Sequence, residues 1–537
     1  MESLGYSLRR PRGRCRKAGH LRPYLVNCSL PQGPFTGSGL FPDPGKALFL
    51  YLNADESSPL MPEIQDRLRQ IPQVSAILTD ERIAPLLRGR RGPWMTRLIQ
   101  DVLDELRLSF FSARGSVRSR EDLHEVLVAD VLARHGRLVR PAWTRVLNGT
   151  GVVVHTNMGR SNFPRQAAEA ARAVAVANSD LEYDLPAGTR GHRGRLVERK
   201  AALLAGAPDA LVVNNNAAAV WLAVRYASRG GRVVLSRGEV VAIGGSFRMH
   251  EILAETGCRL MEVGTTNRTS LEDYRRAIEP GCTVLKVHRS NFEVQGFTED
   301  VPLADLAALC GELEATLIYD AGSGALYPYE ELGLPAGERL LVEDVATGAD
   351  LVTCSGDKLL GGCQAGIIFG SRKAVAGLRE HPMRRAFRVD KTTLAALDAV
   401  LTLYLEAEGR PDIPTLNQLG TPLEELQERA EALLALLAPL APGNWRGEVR
   451  PGFSSVGGGS FSTTQIESRL VHFEGPKEEL ETCHRRLRMG NPALVGRMNQ
   501  EGLAVDVRTL PTAERDLVVT AFRHAWSGLD SVKGDAS

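Results

Sequence analysis

The sequence lacks any C-x-x-C pair. Its eight cysteines, Cys15, Cys28, Cys258, Cys282, Cys310, Cys354, Cys363 and Cys483, are scattered through 537 residues. That spacing fits neither a disulfide framework nor a metal site of the zinc type, and it agrees with a reducing compartment. Long hydrophobic runs are missing too: nothing approaches the roughly 18 apolar residues of a membrane span. The longest apolar stretch near the start, Ala47 to Leu52, is too short for the core of a signal peptide. A cytoplasmic protein with no membrane contact is the expectation. There is no excess of one charge, since 65 basic against 64 acidic residues leave +1. The whole molecule is therefore no polycation, and any contact with nucleic acid has to come from a local patch. No internal repeat is visible. What is present is a composition 43% hydrophobic, enough over this length for several cores in three or four units.

Residues 1 to 60 differ from the rest. Arg9, Arg10, Arg12, Arg14, Arg16, Lys17 and Arg22 occur with no acid among them, followed by a Gly/Pro-rich stretch to Pro44 without periodicity. This extension is expected to be disordered. It reads either as a basic arm for RNA or as a tail without function, upstream sequence from too early a start codon. The second reading is favoured because amphipathic sequence begins directly after Met61. From there to Leu138 the pattern is helical, with Ile64, Leu68, Ile71 and Val74 and then Leu98, Ile99, Val102, Leu103 and Leu106 at three- and four-residue steps. A small helical domain over 61–140 follows, closed by Pro141.

From Val146 to about Gly370, short apolar runs alternate with helical windows. The runs are Ala210 to Val213, Val233 to Leu235, Leu260 to Val263, Thr283 to Val287, Thr316 to Tyr319, Leu351 to Thr353 and Ile367 to Phe369. This alternation predicts an α/β fold with a mostly parallel, doubly wound sheet whose ligands sit at the carboxyl ends of the strands. The large domain is placed at 141–391. A long apolar helix from Thr392 to Glu408 then leads into a smaller C-terminal domain of mixed helices and strands, 392–530.

Three strand ends carry chemistry. In Cys354-Ser355-Gly356-Asp357-Lys358-Leu359-Leu360-Gly361-Gly362, a lysine follows a predicted buried strand inside a glycine-flanked turn. Desolvation there strips the proton from an amine and lets it condense with a carbonyl, although a lysine after a strand is ordinarily solvated. Asp320 ends the Thr316 to Tyr319 run and precedes Ala321-Gly322-Ser323-Gly324. Its carboxylate suits the ring nitrogen of pyridoxal phosphate, or it is a plain turn residue. In Val213-Asn214-Asn215-Asn216-Ala217-Ala218-Ala219 a strand passes into a helix whose first-turn N–H groups make a phosphate seat. The alternative for that segment is an ordinary asparagine cap. Phosphate seat, then Asp, then Lys, in that chain order, resembles the fold-type I pyridoxal-phosphate enzymes, and pyridoxal 5'-phosphate is the expected cofactor.

The segments Leu147-Asn148-Gly149-Thr150-Gly151, His155-Thr156-Asn157-Met158-Gly159-Arg160, Leu181-Glu182-Tyr183-Asp184, Arg190-Gly191-His192-Arg193, Val263-Gly264-Thr265-Thr266-Asn267-Arg268 and Ser355 to Gly362 resemble stretches of the bacterial L-seryl-tRNA(Sec) selenium transferase family. They occur in that family's order, and the resemblance runs from about Met61 to about residue 525. It implies a fold-type I transferase that eliminates water from serine esterified to tRNA(Sec), passes through aminoacrylyl-tRNA and adds selenium from selenophosphate. It implies Lys358 as cofactor anchor and general acid/base, with Asp357 either tuning that proton transfer or serving only to stabilise the turn. Asp320, Asn215, Asn216, Ala217 and Ser355 are expected around the cofactor, and Arg160, Arg385 and Arg388 around the selenium donor, where a planar guanidinium fork suits a phosphate-like anion. Without the resemblance, the arginines after Met383 read as a solvated helix face. The family also implies tRNA binding by the 61–140 domain and a homo-oligomer, a ring of dimers. Cys363 stands where the family usually has proline, and Ala242 where it usually has an acid. The rival reading is a related pyridoxal-phosphate lyase or aminotransferase acting on a small amino acid or amino sugar, which has no need of the N-terminal helices.

Overall fold

A computed structural model describes residues 66–89, 92–110, 119–243, 247–289, 292–335 and 337–529. The extension 1–60 lies outside the described residues. The chain divides into two compact units at Trp143/Thr144.

The first unit is helical. Its long helices are Gly92–Ser109 and Arg120–Leu138, and their inward stripes, Met95, Ile99, Val102, Leu123, Leu127 and Val131 among them, form one core with Ile71, Ile77 and Ile83. Ser119 starts the second helix with a capping box: its hydroxyl accepts from Asp122 N–H while the Asp122 carboxylate accepts from Ser119 N–H. Arg134 joins the two helices through Glu105 at 2.6 Å.

The second unit is built on a seven-stranded sheet. Its strands in chain order are β1 (Asp209–Val213), β2 (Arg232–Ser236), β3 (Arg259–Val263), β4 (Thr283–Val287), β5 (Thr316–Gly322), β6 (Leu351–Ser355) and β7 (Gly366–Gly370). They lie in the order β1-β7-β6-β5-β4-β2-β3. All seven apolar runs of the sequence are these strands, because the central ones are buried on both faces and read as continuous hydrophobic runs. The sheet is parallel except for β7, which runs antiparallel to both β6 and β1. The helix Asn216–Ser228 follows β1 and packs its Ala219, Leu222 and Ala223 onto the sheet. On the other side Lys391–Glu406 packs against Arg165–Ala175 and Arg195–Leu204.

A second sheet of five strands gathers Arg497–Met498, Leu503–Asp506, Ser460–Glu474, Arg446–Gly457 and, parallel at its edge, Val152–Val154. It is backed by a core that includes Phe473, Phe522, Trp526 and Leu433. Val146–Asn148 pairs separately with Ala493–Val495 in a two-stranded parallel sheet, and Val152–Val154 brings chain assigned by sequence to the large domain into the C-terminal sheet. The Asn148 to Gly151 motif explains the crossing. Gly151 has φ +71°, and a Cβ on it would stand 2.0 Å from Asp506 Oδ2. That fully buried carboxylate accepts hydrogen bonds from Ser454, Ser468 and Arg497. The motif is a structural clasp, and only glycine fits it.

The six cysteines among the described residues are free. Among those residues no helix is long and apolar enough to cross a membrane.

Candidate active site

The parallel strands end on one side of the sheet, and Asp320, Lys358, His288 and the start of the Asn216–Ser228 helix all stand at those ends. Asp320 is buried. Its Oδ1 accepts from Asn216 Nδ2 at 2.8 Å, Gly322 N–H at 3.1 Å and Thr353 Oγ1 at 3.2 Å. Burial pushes its carboxyl above the ordinary range, while those hydrogen bonds and the Lys358 charge pull the other way. With Oδ1 committed to three donors, Oδ2 is the oxygen left for a ligand.

Lys358 is also buried, and desolvation holds its amine below the usual lysine pKa, with Asp320 opposing and Arg160 reinforcing that shift. Its backbone is fixed on several sides. The Ser161 hydroxyl lies 2.6 Å from the Lys358 carbonyl and 2.9 Å from that of Asp357. Leu359 N–H donates to Ser323 and Gly361 N–H to Lys358, and Tyr329 donates to the Leu359 carbonyl at 2.8 Å. A lysine so anchored presents its Nζ from a rigid turn.

Asp357 accepts from the Ser355 hydroxyl at 2.6 Å on one oxygen and from Arg160 Nη1 at 2.6 Å on the other. Ser355, expected at the cofactor, thus orients Asp357. Arg160 sits at φ +64°, the left-handed region where a side chain is strained. The turn after Val154 imposes this: Arg160 N–H donates back to the His155 carbonyl at 3.0 Å, and Gly159 at φ +94° precedes it.

At the β1 end, Asn215 caps the helix by accepting from Ala218 N–H at 2.8 Å. That is the asparagine cap, and it leaves Asn216 and Ala217 in a first turn whose N–H groups have no helical carbonyl to receive them. The antiparallel β7 passes so close that a Cβ on Gly366 would lie 2.1 Å from the Asn215 carbonyl oxygen. Asn214 Oδ1 and Asn216 Oδ1 are buried without a hydrogen-bond partner.

The three arginines expected at the donor have different settings. Arg160 is on Asp357. Arg388 is paired with Glu182 Oε1 at 3.2 Å. Arg385 is exposed on the turn Pro382–Arg385. The departure Cys363 is buried, donates to the Thr393 carbonyl and has its thiol pushed up to about 12 by burial, so it is a small packing residue there. Ala242 is exposed in a two-residue strand against Phe247–Arg248.

Sequence reasoning passed over His288 and Glu338. His288 directly follows β4, donates its N–H to the Asp320 carbonyl at 2.9 Å and pairs through Nε2 with the buried Glu338 at 2.8 Å. His288, like Asp320, is a polar residue at the end of an apolar strand. Glu338 comes from a loop with no local signal. Away from the strand ends, Glu448, His472 and Glu474 gather within 4.8 Å. Arg450 already pairs with both glutamates, so a guanidinium supplies the cation in that group.

Comparison with known proteins decides among the chemistries that this arrangement allows. The sequence model of L-seryl-tRNA selenium transferase matches residues 146–511. The chain belongs to that family. It is 41% identical to the L-seryl-tRNA(Sec) selenium transferase of Solidesulfovibrio magneticus, over 86% of this chain and 99% of the relative. It is 42% identical to that of Carboxydothermus hydrogenoformans, over 84% and 96%. Among solved structures it resembles D-glucosaminate-6-phosphate ammonia-lyase, with a TM-score of 0.51 at 21% identity over 73% of this chain and 97% of that one, a likeness of fold. The fold is that of the fold-type I pyridoxal-phosphate enzymes, and the cofactor is pyridoxal 5'-phosphate. The strand-end residues fit this group. A desolvated amine suits its carbonyl, an oxygen of Asp320 remains for its ring nitrogen, and the first-turn N–H groups of Asn216 and Ala217 beside them can donate to its phosphate.

Proposed function

We propose that the chain converts L-seryl-tRNA(Sec) to L-selenocysteinyl-tRNA(Sec) with selenophosphate as the selenium donor. The observation that carries this is Lys358, desolvated at the end of β6 across from Asp320, in a chain that covers nearly the full length of selenium transferases.

Bound at the strand ends, pyridoxal phosphate supplies an electron sink for the pair left when the serine α-proton departs. Lys358 Nζ takes that proton, because desolvation lowers the amine's proton affinity and favours its neutral, basic form. The same Nζ then delivers it to the departing β-hydroxyl, which leaves as water. Asp320 Oδ2 would hold the ring nitrogen, and the Asn216 and Ala217 N–H groups the phosphate. Asp357, fixed between Ser355 and Arg160, sets the field at Nζ. Arg160, Arg385 and Arg388 receive the anionic donor.

The helical unit holds tRNA(Sec), which separates this substrate from a free amino acid. The chain works as a homo-oligomer: Val176, Tyr183, Leu185, Leu196 and Leu203 are all exposed within one stretch of 28 residues, apolar surface that a second copy could cover. A cytoplasmic location follows from the substrate. The test is tRNA(Sec)-dependent conversion with selenophosphate. Product from free serine in place of seryl-tRNA would overturn the reading in favour of a small-molecule enzyme.

A further inference from the structure

The Leu181-Glu182-Tyr183-Asp184 and Arg190-Gly191-His192-Arg193 segments have so far been only marks of family, and neither is given a task by the proposed reaction. In the structure they meet. Tyr183–Asp184 and Thr189–Arg190 form a small antiparallel hairpin, closed at its base where Gly191 N–H donates to the Glu182 carbonyl at 3.0 Å. The Glu182 carboxylate at that base faces three guanidinium groups. Oε2 accepts from Arg190 at 3.0 Å, and Oε1 is shared by Arg193 at 3.1 Å and Arg388 at 3.2 Å. One carboxylate against three arginines leaves two positive charges over.

The segment that carries Arg388 is held on both sides. The Phe387 carbonyl accepts from Asn214 N–H at 3.1 Å, in the turn that forms the phosphate seat. The Val389 carbonyl accepts from Arg193 Nη2. Phe387 also packs edge-on against Trp221 of the helix that starts at that seat, with ring centroids 5.4 Å apart. Arg388 therefore stands next to the cofactor's phosphate seat, and the direction of its side chain is set by Glu182 rather than by solvent.

We propose that Glu182 is a positioning residue that holds Arg388 and Arg193 as a fixed, net-positive receptor for the phosphoryl group of the selenium donor. This rests on the reading that Arg388 receives that donor. A free arginine loses side-chain entropy when it orders around an anion; one already held by a carboxylate has that cost removed in advance, and its remaining N–H groups stay aimed. The Glu182 carboxyl is itself held below its ordinary range, chiefly by Arg193, so the clamp stays charged at neutral pH.

The experiment measures single-turnover conversion at varied selenophosphate with saturating seryl-tRNA(Sec), in the full-length holoenzyme. Glu182→Gln is expected to raise the donor KM roughly tenfold, to change kcat by less than about threefold, and to leave cofactor absorbance unchanged. Glu182→Asp is expected to recover part of the affinity. In an Arg388→Ala background Glu182→Gln is expected to raise the donor KM by clearly less than tenfold, because only its hold on Arg193 is left to lose. An unchanged donor KM in Glu182→Gln overturns the proposal. So does a lowered KM, which would make the carboxylate a competitor of the anion, and so does an undiminished tenfold effect in the Arg388→Ala background. A wild-type donor KM in Arg388→Ala alone would instead sink the underlying reading of Arg388.

Discussion

The strand-end residues of the proposed site and the arginines proposed for its donor are prepared in opposite ways. Asp320 and Lys358 are 6% and 8% exposed, and their properties come from burial: the acid is pushed up, the amine down, and each is fixed by backbone hydrogen bonds. Arg160 and Arg388 keep 32% and 28% of their side chains exposed, and each leans on a carboxylate, Asp357 in one case and Glu182 in the other. Desolvation tunes proton affinity, which a cofactor chemistry needs. Charge pairing in partial contact with water fixes direction while leaving the cation able to exchange partners, which suits a small anion that must arrive and leave. On the proposed function, one crevice would hold a rigid, dry wall and a wetter, re-pairable one.

Removing Lys358 should have the largest effect. Lys358→Ala is expected to abolish the yellow colour of the holoenzyme and to lower conversion by about 10³-fold or more, since the anchor and the acid/base are lost together. Borohydride reduction followed by peptide mapping checks the assignment, and a pyridoxyl label on another lysine would break the dry half of the comparison.

Arg160 comes next. Its loss removes one charge-assisted contact, about 1.5–3 kcal/mol or roughly ten- to a hundredfold in selenophosphate use, while cofactor colour and seryl-tRNA(Sec) binding remain. Arg160→Lys is expected to rescue only in part, because an ammonium lacks the fork that reaches Asp357 and an anion together. A bleached cofactor in Arg160→Ala would mean that the two halves are not separable.

Much of the dry half is visible in the sequence, and little of the wetter half is. The strands β1 to β7 appear as apolar runs because burial on both faces writes itself into consecutive residues, and a polar residue ending such a run, Asp320 or Lys358, is conspicuous. His288 has the same signal. The antiparallel course of β7 has none, since a buried strand reads alike in either direction. The pairing of Val146–Asn148 with Ala493–Val495 joins residues more than 300 apart, and no local pattern records such a pairing. The same holds for Glu182 with Arg388 and for His288 with Glu338. Charged residues on loops look solvated one at a time, and only their convergence in space gives them a task. The family resemblance singled out Arg160, Arg385, Arg388 and Asp357; it was the structure that paired Arg160 with Asp357 and Arg388 with Glu182.

The smallest effect concerns the charges behind the dry wall. Asp344, 1% exposed, accepts from Arg339 Nε at 2.8 Å, and burial still raises its carboxyl from 3.8 to about 6. Because the folded-state pKa lies above the unfolded one, the native chain holds the extra proton between about pH 4 and pH 6. Stability from this group is therefore full below pH 4 and is lost as pH rises through that window. Asparagine has no proton to lose. The stability of Asp344→Asn relative to wild type is expected to rise by about 1–2 kcal/mol between pH 4 and pH 7, the shift being discounted for the half-exposed Arg339. Urea denaturation of the cofactor-free protein across that range reads it directly. Neutralising Glu182 in the same way should show a slope of the opposite sign, because its pairing lowers the carboxyl, and stability from that pairing is present above the unfolded carboxyl pKa and lost as pH falls below it. Parallel slopes for the two variants would mean that burial and ion pairing do not divide the site as the comparison holds.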